Sequence, residues 1–144
     1  MIKFSEYYDN GDKMTNNDMG NIAESSFILK ATRKNLNVST PVVGEHRYDF
    51  IIDNGNELFK VQVKSTFSYD QVQDRYSVNI SYGNNPKKAY TKTDIDYFAI
   101  YINNQNSWYI IPIEDIDSKK VNLYPHRKNN GIYERYKDNW KVLR

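Results

Sequence analysis

The chain has 144 residues, 39% of them hydrophobic, with 20 Lys and Arg against 18 Asp and Glu for a formal net charge of +2. That length suits one hydrophobic core and not two ordinary domains joined by a linker. With no cysteine and two histidines, a disulfide framework and a thiolate zinc site are excluded, so any metal must rest mainly on oxygen.

Aromatic residues reach 15%, and Tyr alone accounts for 13 positions; apolar area carried on large amphipathic rings argues against disorder. No run approaches the roughly 20 apolar residues of a membrane helix. Met1 to Asn10 holds two acids and no apolar secretory core, so a cytoplasmic or nucleoid-associated protein with no membrane partner is expected. The charge is unevenly divided. Residues 119–144 carry eight Lys and Arg against Glu134 and Asp138, a local charge of +6 that leaves the rest at −4. Interleaved with Tyr124, His126, Tyr133, Tyr136 and Trp140, these cations are suited to a phosphate backbone, and the rings to stacking on bases. A solvated surface explains the same charges equally well.

In chain order, residues 1–16 are polar, include an Asn10-Gly11 turn signal, and read as an arm outside the core. Thr15 and Asp18 resemble a capping box, and Met19, Ile22, Ala23, Phe27 and Ala31 recur at helical spacing, which predicts a helix over about Asn17 to Asn35. Lys30, Arg33 and Lys34 suit the negative end of its dipole. The period then changes to two, with strands predicted at Val38–Val43, Tyr48–Asp53, Leu58–Thr66, Tyr76–Tyr82, Tyr97–Ile102 and Ser107–Pro112, paired antiparallel by default. Asp53-Asn54-Gly55-Asn56 reads as a tight hairpin, and Ile113–Ile116 as a short helical turn; beyond it no element is assigned. Residues 17–144 form one domain in this reading, ending in the basic segment 119–144.

The run Glu57 to Lys64 is the most informative. Strand alternation puts Phe59, Val61 and Val63 on one face, and Leu58, Lys60, Gln62 and Lys64 on the other. The hairpin brings Asp49 beside the Gln62 and Lys64 face. Oxygens from Asp49, the Gln62 side chain and the Val63 main chain would suit Mg²⁺, and the Lys64 ammonium would hold the attacking water or offset charge on a phosphate. Glu24, within a turn of Gly20, Phe27 and Ile28, stands where it can reach the ion's hydration shell. The same alternation also describes an ordinary solvated strand face. His46 and Arg47 read as a turn after Gly44, Tyr90 and Trp108 as packing, and Asp53, Ser65 and Asp94 as polar surface.

The ordered set Glu24, Asp49 and Gln62-Val63-Lys64 resembles the PD-(D/E)XK nuclease superfamily, and within it the group I intron-encoded homing endonucleases, whose last acidic motif carries glutamine. Asn21-Ile22-Ala23-Glu24, Tyr48-Asp49-Phe50, Val61-Gln62-Val63-Lys64-Ser65, Asp96 to Tyr101 and Tyr109-Ile110-Ile111-Pro112 extend the resemblance over most of the chain after Asn16. Tyr48 stands where the superfamily pattern has proline. The resemblance implies an α/β fold: a restriction-endonuclease-like core with a mixed, mostly antiparallel central sheet flanked by helices. It implies Glu24, Asp49, Gln62 and Lys64 as catalytic residues, and Asp49, Gln62 and Val63 as ligands of Mg²⁺, with Mn²⁺ as a substitute. It also implies site-specific cleavage of duplex DNA by a homodimer or homotetramer encoded by a mobile element or phage. A Holliday (four-way) junction resolvase acting on branched DNA, a restriction or repair nuclease and a catalytically silent DNA-binding module are the alternatives. Lys87, Lys88, Arg127, Lys128, Arg135 and Lys137 are the candidate DNA-binding residues. A neutral glutamine in place of an acid implies weaker metal affinity and no general base at that position.

Overall fold

A computed structural model describes residues 14–127 and 131–144. Most of the expected arm, and Lys128 of the basic segment, lie outside the described residues. Helix α1 (Asn16–Arg33) lies close to its sequence signal. Asp18 N–H donates to Thr15 Oγ1 at 3.1 Å while Thr15 N–H donates to Asp18 Oδ2 at 2.8 Å, the reciprocal bonds of a capping box. At the other end Asn35 turns left-handed (φ 60°), which Asn tolerates better than most residues. Its N–H donates to Thr32 O at 3.0 Å, and Leu36 N–H donates to Ala31 O at 3.1 Å. These bonds satisfy terminal carbonyls and stop the helix at Arg33, short of the expected Asn35.

The strands that follow are β1 (Asn37–Ser39), β2 (Phe50–Asp53), β3 (Leu58–Thr66), β4 (Tyr69–Asp70), β5 (Arg75–Asn79), β6 (Ser81–Tyr82), β7 (Lys88–Ala89), β8 (Tyr97–Ile102), β9 (Ser107–Pro112) and β10 (Lys120–Leu123). The central sheet has the order β1-β2-β3-β8-β9; β10-β5-β4 form a second sheet and β6-β7 a third. Pairing in the central sheet is antiparallel except between β3 and β8, which are parallel. The default of antiparallel neighbours therefore fails at this one junction. The long segment between Thr66 and Tyr97 has room to carry the chain back to the start of β3, and it folds as β4 to β7 instead of a crossover helix.

Several strands differ from their sequence signals: β2 begins at Phe50 and not at Tyr48, and β4 and β7 have no strand signal in the sequence. β1 stops at Ser39, just before Pro41 interrupts any further ladder. The run Tyr76–Tyr82 divides at Ile80, where Asn79 Oδ1 accepts from Ser81 N–H (3.0 Å) and Ile80 N–H donates to Lys119 O (3.0 Å). β10 has only a faint sequence signal, Val121 and Leu123 alternating as apolar residues within a cationic stretch; both are fully buried against β5.

The central sheet is buried on both faces. On one, Phe50, Ile52, Val61, Val63, Ala99, Tyr101, Trp108 and Ile110 meet Ala23, Phe27 and Ala31 of α1. On the other, Phe98, Ile100, Ile102, Tyr109 and Ile111 meet Tyr76, Val78, Val121 and Leu123 of the second sheet. The C-terminal segment serves both: Tyr133 and Tyr136 enter the second core, Trp140 and Leu143 the first. In between, Trp108 N–H donates to Asp138 Oδ1 (2.9 Å) and Lys137 bridges Tyr109, so the segment covers the exposed edge of β9. Three of the rings expected to stack on bases, Tyr133, Tyr136 and Trp140, are core residues, while Tyr124 is half-buried and His126 exposed.

Phe27 joins the helix to the sheet. It stacks on Phe50 at 5.3 Å between centroids and packs against Trp108 at 5.6 Å and Trp140 at 5.5 Å. Phe27→Ala should lower unfolding free energy by about 3–5 kcal/mol, since the helix cannot collapse into the space left; urea denaturation followed by tryptophan fluorescence measures it.

Candidate active site

The site forms where β2 and β3 part. Phe50 is the register partner of Val61, yet Asp49 N–H also donates to Val61 O at 2.9 Å. Two consecutive residues thus oppose one, the pattern of a β-bulge, which bends its strand and re-aims a side chain. On the other edge of β3, Lys60 N–H donates to Asp96 Oδ2 at 2.8 Å and Lys60 O accepts from Asp96 N–H at 2.9 Å. Backbone directions alternate along a strand, so Val61 and Val63 present their polar groups toward β2. Because β2 has turned away, Val63 N–H finds no ladder carbonyl and donates to Asp49 Oδ2 at 2.8 Å. Thr40 Oγ1 donates to Asp49 O at 3.0 Å and holds the bend.

Gln62 and Lys64 are in register with Phe98 and Ile100 and so point to the face of the second core. Glu24 belongs to α1, on the opposite face. Asp49 stands at the fork between them and couples electrostatically to both. The four expected site residues are therefore brought together across a sheet edge, not on one surface, and each is half-buried. Burial, followed by the Asp49 charge, raises the Glu24 carboxyl above its ordinary value. Burial raises Asp49 too, against the Val63 N–H bond and the Lys64 charge. It lowers Lys64, against the attraction of Asp49. A groove of about 450 Å³ opens onto this point, walled by Asn21, Glu24 and Ser25 of α1 and by Thr40, His46 and Asp49.

Asp49 and Lys64 do not close into an ion pair within 4 Å; among the described residues the ion pairs are Arg127 with Asp74 and Arg135 with Asp115. Neither Asp49 Oδ1 nor the Glu24 carboxylate has a hydrogen-bond partner among those residues. Gln62 Nε2 makes only a long contact to Val63 O, 3.4 Å. Two half-buried acids whose ionisation is costly, with Asp49 Oδ1, the Gln62 side-chain oxygen and the weakly engaged Val63 carbonyl, form a donor set that fits a hard divalent cation. Among the described residues no group of three or more His, Asp and Glu gathers, in keeping with an amide at Gln62.

The remaining candidates divide. Lys87 and Lys88 are exposed on the β6–β7 hairpin. Arg127 is held by Asp74 at 3.0 Å and Arg135 by Asp115 at 3.1 Å, which neutralises part of the basic segment internally. Lys137 Nζ donates to Pro125 O at 3.4 Å. Asp53 accepts from Gly55 N–H and Asp94 from Thr91 N–H, both shaping turns, and Trp108 is core. Tyr90, read from the sequence as packing, lies under the site: Lys64 Nζ is 5.7 Å from its ring centroid. Arg47, read as part of a turn, is stacked on Tyr82 at 3.9 Å. Neither the Lys64 to Tyr90 nor the Arg47 to Tyr82 contact had a sequence signal, since each joins residues distant along the chain.

Nothing among curated proteins shows significant sequence similarity to this chain. The bacterial homing endonuclease I-Ssp6803I superposes with a TM-score of 0.79 at 21% identity, covering 90% of this chain and 93% of that one; the likeness is one of fold. Hjc, a Holliday junction resolvase from Archaeoglobus fulgidus, gives a TM-score of 0.48 at 11% identity, over 86% and 94% of the two chains. The likeness to I-Ssp6803I bears out the expected restriction-endonuclease-like core with its mixed sheet, which has α1 on one face and, in place of further helices, a second sheet on the other. The model of the family described as PD-(D/E)XK endonuclease matches residues 14–143, nearly the whole length, and the chain belongs to that family.

Proposed function

We propose that this nuclease hydrolyses DNA phosphodiester bonds with a divalent metal ion, at a specific duplex site of the intron-homing kind. The observation that carries the reading is the convergence of Asp49, Gln62, Lys64 and Glu24 at the fork between β2 and β3. The fold likeness to a bacterial homing endonuclease supports the choice of substrate. Nucleases of the family generally use divalent metals, and Mg²⁺, with Mn²⁺ in its place, suits the oxygen donors of Asp49, Gln62 and Val63. Such an ion polarises the phosphoryl oxygen and lowers the cost of the charge that develops there.

The chain's own groups do the rest. Asp49, fixed by Val63 N–H, positions the ion and brings one negative charge. Lys64 Nζ, free of any carboxylate within ion-pair reach, donates to a non-bridging phosphate oxygen or to the attacking water, where its positive charge offsets the charge that builds on phosphorus. Gln62 contributes an oxygen and cannot take a proton. Glu24 orients the water from the helix side. Residues 17–144 act as one nuclease domain with a single site, so cutting both strands of a duplex takes two copies, as a homodimer or homotetramer.

Nicking of supercoiled plasmid in Mg²⁺ should fall by about 100-fold or more in Asp49→Asn and Lys64→Ala, with DNA binding retained. A parent protein that binds but cleaves neither plasmid nor a synthetic four-way junction is a silent module and overturns the reading; cleavage of the junction alone makes it a resolvase. Gln62→Glu restores an acid, so half-maximal cleavage should come at a lower Mg²⁺ concentration. Mg²⁺ affinity should weaken as pH falls through the raised carboxylate range of Asp49, because protons compete for its oxygens; calorimetric titration at several pH values reads this directly.

A further inference from the structure

Arg47 lies two residues before Asp49, is exposed, and has no carboxylate within ion-pair distance among the described residues. An unpaired surface arginine is ordinarily mobile. This one is held: its Cζ sits 3.9 Å from the centroid of the Tyr82 ring. Tyr82 packs edge-to-face on Tyr90 at 5.1 Å, and Tyr90 edge-to-face on Phe98 at 5.1 Å. Phe98 is wholly buried in β8 and is the register partner of Gln62. A ladder of three rings therefore runs from the strand beside the site out to the guanidinium, and Lys64 faces the middle ring.

A guanidinium stacked on a ring keeps its N–H donors in the plane of the stack, directed outward in a fixed fork that matches phosphate oxygens. Two rings, Tyr82 and Tyr90, separate the Arg47 guanidinium from the Lys64 ammonium, so Arg47 stands beyond Lys64 on the outward side of the ladder. We propose that Arg47, positioned by Tyr82 and Tyr90, binds the DNA phosphate next to the one that is cleaved. The inference deepens the nuclease reading and rests on it for the identity of the ligand. Lys64 and Arg47 then divide the work along one strand: the first serves the reacting phosphate, the second sets the register of the strand.

Binding of a short fluorescein-labelled duplex, followed by anisotropy in EDTA over a range of KCl concentrations, tests the assignment without requiring cleavage. Arg47→Ala should weaken binding about tenfold and reduce the slope of log affinity against log salt by about one, the signature of one lost phosphate contact. Tyr82→Phe should bind like the parent, and Tyr82→Leu should weaken binding in the same direction as Arg47→Ala. Thermal melting checks that each variant is folded. Arg33→Ala, which removes an equal charge at the end of α1, should leave the slope nearly unchanged. An Arg47→Ala slope equal to that of the parent, or an Arg33→Ala loss as large as the Arg47→Ala loss, overturns the inference. Parental binding by Tyr82→Leu overturns the positioning role of the ladder. Cleavage assays on the same parent preparation separate the two levels: absence of cleavage of both plasmid and four-way junction overturns the nuclease reading whatever Arg47 does, and cleavage with an unaltered Arg47→Ala slope overturns the Arg47 assignment alone.

Discussion

One hydrogen bond organises the candidate site, that from Val63 N–H to Asp49 Oδ2. A buried N–H that loses its ladder partner must find another acceptor or bear a desolvation cost of about 1–3 kcal/mol. Here the strand that should supply the acceptor has bulged away, and a side chain from the bulge takes its place. The consequence is geometric as much as energetic. Asp49 can satisfy β3 only by lying in the fork, and in the fork it meets Lys64 from one face of the sheet and Glu24 from the other. The remaining carboxylate oxygen is left for a ligand.

A fork in a sheet is a weak point, and its stability comes from the two cores that clamp it. Phe27, Phe50, Trp108 and Trp140 lock α1 onto one face beside the fork. Phe98 and Tyr90 pack on the other. Segment 131–144 threads past β9 and delivers Trp140 to one core and Tyr133 and Tyr136 to the other, so much of its chemistry is structural. The basic tail, which composition alone marks as a phosphate-binding surface, spends Tyr133, Tyr136 and Trp140 on packing and two of its arginines on ion pairs. Lys64 and Arg47, which have no carboxylate within ion-pair distance among the described residues, come from other parts of the chain. This agrees with electrostatics being set by local surroundings more than by net charge.

The sequence alone carried the helix with its capping box, the boundaries of β3, β8 and β9, and the Asp53–Asn56 hairpin. Those features depend on neighbours a few residues apart: a Thr and an Asp three positions apart, apolar residues at period two, an Asx turn before a glycine. Tertiary structure alone decided the parallel pairing of β3 with β8, the appearance of β10, the opposition of Glu24 and Lys64 across the sheet, and the ring ladder beneath Arg47. Each of these turns on contacts between residues tens of positions apart, whose energies arise only when the sheet closes, and no local pattern of hydrophobicity or charge encodes which distant partner a strand or a ring will meet.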